Sequence, residues 1–183
     1  MNGSDVMYPV GMDTWIMNSA SDVLTIASGG LLMGANQALT ISSGSLTSGT
    51  SALFAYINQN TTTISSALIG AIDVVKGGAG GLTLTGSNTF TGTLYVNQGT
   101  VTLNNASANG STIVAANGNV VVNNASLALS TGSQLLTGAS VTFTAASSGT
   151  VTLICTSTTP AGITSAAGTA TSTIVPVPVM PSI

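Results

Sequence analysis

An apolar–polar–apolar triplet, bounded by small polar residues, returns along the chain. It appears as Leu24-Thr25-Ile26, Leu39-Thr40-Ile41, Leu82-Thr83-Leu84, Val101-Thr102-Leu103, Val120-Val121-Val122 and Val141-Thr142-Phe143, with Thr62-Thr63-Ile64 as a variant. Alternation at period two, rich in Thr and Val and broken by glycine every few positions, predicts short strands and disfavours helices. By subtraction of their starting positions, successive triplets lie 15, 23, 20, 19, 19 and 21 residues apart.

A period near 20 built from short alternating segments fits a β-solenoid, in which each coil supplies two or three strands and stacks on the previous one. A β-sandwich also has short strands, but gives no reason for near-identical segments such as VTLNNAS from Val101 and VVVNNAS from Val120. The pattern predicts a parallel β-helix of seven to eight coils over residues 23–155, all β. Ile26, Ile41, Ile64, Leu84, Leu103, Val122 and Phe143 are expected to stack as one core ladder. Taking the two similar segments as one coil apart places Asn104 and Asn105 over Asn123 and Asn124 as an amide ladder. Seven such turns at about 4.8 Å make a rod on the order of 30 Å long.

The two ends lack the triplet. Residues 1–22 contain Trp15, Tyr8, Met1, Met7, Met12 and Met17 and are expected to cap the first coil. Residues 156–183 read as a frayed last turn followed by an extended arm, because Val175, Val177 and Val179 alternate with prolines that cannot donate to a central ladder.

Charge narrows the functional classes. The ionisable acids and bases are Asp5, Asp13, Asp22, Asp73 and Lys76, giving a net charge of −3 over 183 residues. From Gly77 to Ile183 there is no Asp, Glu, Lys, Arg or His. Acid–base catalysis has almost no candidates there, and Asp22 and Asp73 are too far apart in sequence to be the paired carboxylates of a glycosidase. A nucleic-acid partner needs a basic patch that one lysine cannot make. Asp73 and Lys76 are expected to form a local surface pair. Cys155 stands alone in an apolar segment and reads as a buried hydrophobe. No apolar run is long enough for a membrane-spanning helix, and no secretory signal is visible at the N-terminus. No cofactor or metal ligand set is expected.

The stretch from Gly77 to Leu103, GGAGGLTLTGSNTFTGTLYVNQGTVTL, resembles the autotransporter-associated β-strand repeat of bacterial surface proteins. The matching features are its Gly-rich lead, Leu82-Thr83-Leu84-Thr85-Gly86, Asn88-Thr89-Phe90-Thr91-Gly92 and Val96-Asn97-Gln98-Gly99-Thr100-Val101. That resemblance implies a right-handed parallel β-helix displayed outside a bacterial cell.

The leading functional expectation is an extracellular structural protein that assembles with itself head to tail into a filament or adhesive fibre. Solenoid ends offer unpaired backbone groups, and heterologous contacts of this kind do not close. Trp15 at one end and Val175, Val177 and Val179 at the other are the candidate subunit contacts, the latter as an added strand. Surface or matrix polysaccharide is a further possible partner. The alternatives are a monomeric adhesin or passenger stalk, and an ice-binding surface made of threonines two apart, such as Thr83/Thr85 and Thr100/Thr102. Asn-x-Ser/Thr sequences at Asn2, Asn60, Asn105, Asn109 and Asn124 are candidate glycan sites. Assembly through backbone and apolar ladders is expected to be insensitive to salt, and to pH between about 5 and 9.

Overall fold

Alternating strands can bury their apolar side by meeting at a common axis, and the fold does so by winding. The computed structural model describes residues 13–34, 38–105, 119–123, 125–129, 141–144 and 163–165. The first coil contains β1 (Asp13–Ile16), β2 (Val23–Ile26) and β3 (Gly30–Met33). The second contains β4 (Leu39–Ser42), β5 (Ser45–Ser48) and β6 (Ala52–Ile57), and the third β7 (Thr61–Ile64), β8 (Ala67–Leu68) and β9 (Asp73–Gly77). After them come β10 (Gly81–Leu84), β11 (Leu94–Val96), β12 (Thr100–Leu103), β13 (Val120–Asn123), β14 (Ser126–Leu129), β15 (Val141–Thr144) and β16 (Ile163–Ser165).

Like faces of successive coils pair in parallel. The six-stranded sheet runs β1-β4-β7-β10-β12-β14, the seven-stranded sheet β3-β6-β9-β11-β13-β15-β16, and the three-stranded sheet β2-β5-β8. The result is a β-solenoid whose two longer faces stack six and seven strands, one per coil, slightly different from the seven to eight coils expected from the triplets. The difference arises because some triplets are neighbouring faces of one coil, so they do not each mark a new coil. Steps range from 100 − 81 = 19 residues between Gly81 and Thr100 to 39 − 13 = 26 between Asp13 and Leu39.

The single core ladder is therefore divided among the three sheets. Ile41, Ile64, Leu84 and Leu103 stack in register in the six-stranded sheet, with Trp15 over Ile41 at the start. Val122 and Phe143 belong to the seven-stranded sheet, where they stack above Val96, and Ile26 lies in the three-stranded sheet beside Ser48. Val101 pairs with Leu82 and Leu127, whereas Val120 pairs with Leu94 and Val141. The triplets that open the similar segments, Val101-Thr102-Leu103 and Val120-Val121-Val122, thus occupy different faces. Every face needs the same in-out-in triplet, so likeness between triplets does not identify the face they occupy.

The inward side chains form one continuous core, from Leu31 and Met33 through Leu84 and Phe90 to Val141 and Phe143. Burying each Leu, Ile or Val contributes roughly 1.5–3 kcal/mol. Thr62 takes an inward place beside Leu82, fully buried, and its Oγ1 has no hydrogen-bond partner. The third face changes after β8. There Asn88 Oδ1 accepts the Leu68 N–H at 2.7 Å, replacing a backbone carbonyl, and Phe90 fills the interior with no exposed surface. Asn88-Thr89-Phe90 is thus a corner plug.

Glycine is required where corners stack. Gly78 and Gly99 have φ of +77° and +72°, and a Cβ on either would lie 2.3 Å from a backbone oxygen of the coil beneath. Only glycine occupies that conformation and that space without cost.

The ends also differ from expectation. Asp13–Ile16 is a strand of the solenoid and not part of a separate cap, and Ile163–Ser165 continues the seven-stranded sheet into the segment read as frayed. Residues 1–12, Asn124, Cys155, Val175, Val177 and Val179 lie outside the described residues.

Candidate functional surfaces

Lys76 is inward on β9, in register between Ala55 and Val96, and is fully buried. The expected surface pair with Asp73 is not formed. Alternation from Val74 puts the lysine on the core side, while Asp73 Oδ1 accepts the Thr93 N–H at 2.7 Å. The Lys76 Nζ donates to the carbonyl oxygens of Gly77 and Gly78 at 2.7 Å each and of Gln98 at 3.2 Å. Gly77 ends β9, Gly78 opens the corner that follows it, and Gln98 belongs to the corner one coil later. The ammonium therefore fastens two successive corners. Desolvation by burial lowers its pKa from 10.5 to about 8.

The outward surfaces are nearly free of charge. On the six-stranded sheet, Thr14, Thr40, Thr63, Thr83 and Thr102 follow one another in register as a single column. Thr61 and Thr100 flank it, and Thr85 Oγ1 donates to Ser65 Oγ at 2.8 Å one coil away. The register brings Thr83 and Thr102 together and adds Thr14, Thr40 and Thr63.

The seven-stranded sheet carries a different outer face. Phe54, Val75, Tyr95 and Val121 succeed one another in register. Leu32 and Tyr56 form the neighbouring column, with Gly77 above Tyr56. Phe54 and Tyr56 remain 52% and 49% exposed, which makes this an apolar stripe open to solvent. Farther along the second column, Asn123 Nδ2 donates to Asn97 Oδ1 at 2.6 Å, and Thr144 Oγ1 donates to Asn123 Oδ1. An amide ladder is present, then, but not the expected one. Asn104 and Asn105 stand at a different corner, where Asn105 is buried and its Nδ2 donates to Gly86 O at 3.3 Å. Burial also removes Asn105 from the accessible glycan sites. The signal for the aromatic stripe was present in Ala52-Leu53-Phe54-Ala55-Tyr56-Ile57, whose even positions point out when Leu53 and Ile57 point in.

Trp15 is partly buried against the core, while Ile16 on the same strand is 72% exposed and Val23 is 54% exposed. Among the described residues there is no cluster of three His, Cys, Asp or Glu that could hold a metal ion, and no helix is long and apolar enough to cross a membrane. Searched against family models, curated proteins and solved structures, the chain matches none of them.

Proposed function

We propose that the chain is a structural β-solenoid of the bacterial exterior, related to autotransporter passengers and able to extend head to tail into a fibre. The observation that carries this reading is the direction of backbone pairing, which runs along the solenoid axis in all three sheets. A strand at the end of such a stack presents donors and acceptors aligned for another coil. The first coil supports the same reading, because exposed Ile16 and Val23 and partly buried Trp15 place apolar surface there. With so little charge, repulsion between copies is weak. Negative-stain microscopy of the purified protein tests it: fibres of uniform width are expected, unchanged between low and high salt. Separate short rods under all conditions would favour the monomeric stalk, and fibres that dissolve in salt would indicate a charge-based contact.

The threonine column supports ice binding as a second reading. Hydroxyl and methyl groups repeat at about 4.8 Å across strands and about 6.6 Å along them, a flat two-dimensional array suited to a periodic surface. This reading expects thermal hysteresis in dilute solution that Thr83→Lys abolishes without unfolding the protein. Freezing behaviour equal to that of an inert protein would remove it.

A further inference from the structure

We infer that the outer face of the seven-stranded sheet is a binding platform for a neutral, linear polysaccharide. The inference goes beyond the fibre reading and does not depend on assembly, since the face is complete within one chain.

Three observations converge. First, Phe54 and Tyr56 point out from β6 and are about half exposed, although neither is needed to close the core. Exposed aromatic surface gathered on one face marks an interaction site, whereas scattered apolar residues do not. Second, the Tyr56 ring leans across the next coil. The ring carbons Cδ2 and Cε2 lie 3.0 and 3.6 Å from the place a Cβ would take at Gly77, so the absent side chain there makes room for the ring over the sheet. Third, the apolar stripe continues into the polar ladder of Asn97, Asn123 and Thr144, which offers amide and hydroxyl groups in the same outward column.

A sugar ring matches this pairing of chemistries. Its axial C–H groups form a weakly polarised apolar face that stacks on the electron-rich face of an aromatic ring, while its equatorial hydroxyls seek amide and hydroxyl partners. Phe54 and Tyr95 share one outward column with Val75 between them, an interval of two strand spacings or about 9.6 Å. A β-1,4-linked glycan presents the same ring face at every second sugar, a repeat close to that interval. Charge selects among polymers. The outward positions of these two columns hold no acid or base, so an anionic chain finds no counter-charge and a neutral chain loses none. Nucleic acid is disfavoured for the same reason.

The test is retention of the full-length protein on amorphous cellulose and on chitin, at low and high salt, with heparin-coated beads as the anionic comparison. Wild type is expected to bind at least one neutral polymer equally well in both salts. Tyr56→Ser and Phe54→Ser are each expected to weaken binding about tenfold while leaving circular dichroism and the melting temperature near wild type. Leu32→Ser, at the margin of the stripe, serves as a second outward, half-buried change with a smaller effect. Failure to bind either neutral polymer, equal binding by the serine variants, or salt-sensitive binding to heparin alone would each overturn the inference. Loss of self-association in the serine variants, with no polysaccharide binding by wild type, would assign the face to a second copy of the chain. Fibres without polysaccharide binding refute this inference and leave the fibre reading intact.

Discussion

Lys76→Ala is expected to destabilise the solenoid by about 3 kcal/mol, through the cavity left by the side chain and the loss of the donor shared by three carbonyls. Those carbonyls belong to Gly77, Gly78 and Gln98, on two successive corners, so both corners lose a fastening at once. Lys76→Met keeps most of the volume and is expected to cost less. The pH dependence separates the charge from the packing. Burial lowers the lysine to about 8 in the fold from its ordinary 10.5. Between those values the unfolded chain binds more protons than the folded one, so stability rises with pH across that window and is level on either side. Allowing for water reaching the corner, the gain is about 1–3 kcal/mol. Urea unfolding at pH 7, 8, 9 and 10 measures it. The wild type should gain stability relative to Lys76→Met over that series, and parallel curves for the two proteins would show that the ammonium is not desolvated.

Phe90→Ala is expected to cost about 3–5 kcal/mol, the largest effect of any single truncation proposed for this chain. Phe90 has no exposed surface and fills the interior where the three-stranded sheet has ended. Around it, Asn88 accepts the Leu68 N–H while the Thr89 and Phe90 N–H groups donate to Leu68 O, so the backbone is held in place and cannot close over a void. The loss should appear as a lowered urea midpoint and as faster amide exchange at Leu68, whose neighbours sense the corner directly. A cost below about 1 kcal/mol would mean that the plug is loosely packed.

The legible part of the fold was its local rule. The alternation in Leu82-Thr83-Leu84 and Val101-Thr102-Leu103 gives strands, inward leucine and valine, and stacking, and the register of Ile41, Ile64, Leu84 and Leu103 follows it. Which face a triplet occupies was not legible. The 19 residues from Val101 to Val120 (120 − 101) equal the true coil step from Gly81 to Thr100 (100 − 81), although the former pair lies on two sheets. Corner lengths decide that question, and glycine-rich corners of several lengths satisfy the same backbone constraints. Lys76 was misread for a different reason. A lone lysine is ordinarily placed at the surface, yet the parity set by Ile72 and Val74 points it inward. The outward aromatics shared that parity signal, since Phe54 and Tyr56 alternate with Leu53, Ala55 and Ile57.

Register between coils is tested most directly by paired cysteines, introduced with Cys155→Ser. Parallel neighbours lie about 4.8 Å apart, within the Cα separation a disulfide spans. Thr83→Cys with Thr102→Cys joins outward positions that are partners in the six-stranded sheet. Thr102→Cys with Val121→Cys joins positions that the sequence likeness equates but that lie in different sheets. Under native oxidising conditions the first pair should close in nearly every molecule and the second should stay reduced, as read by mass after thiol capping. Closure of the second pair while the first stays reduced would contradict the three-sheet winding.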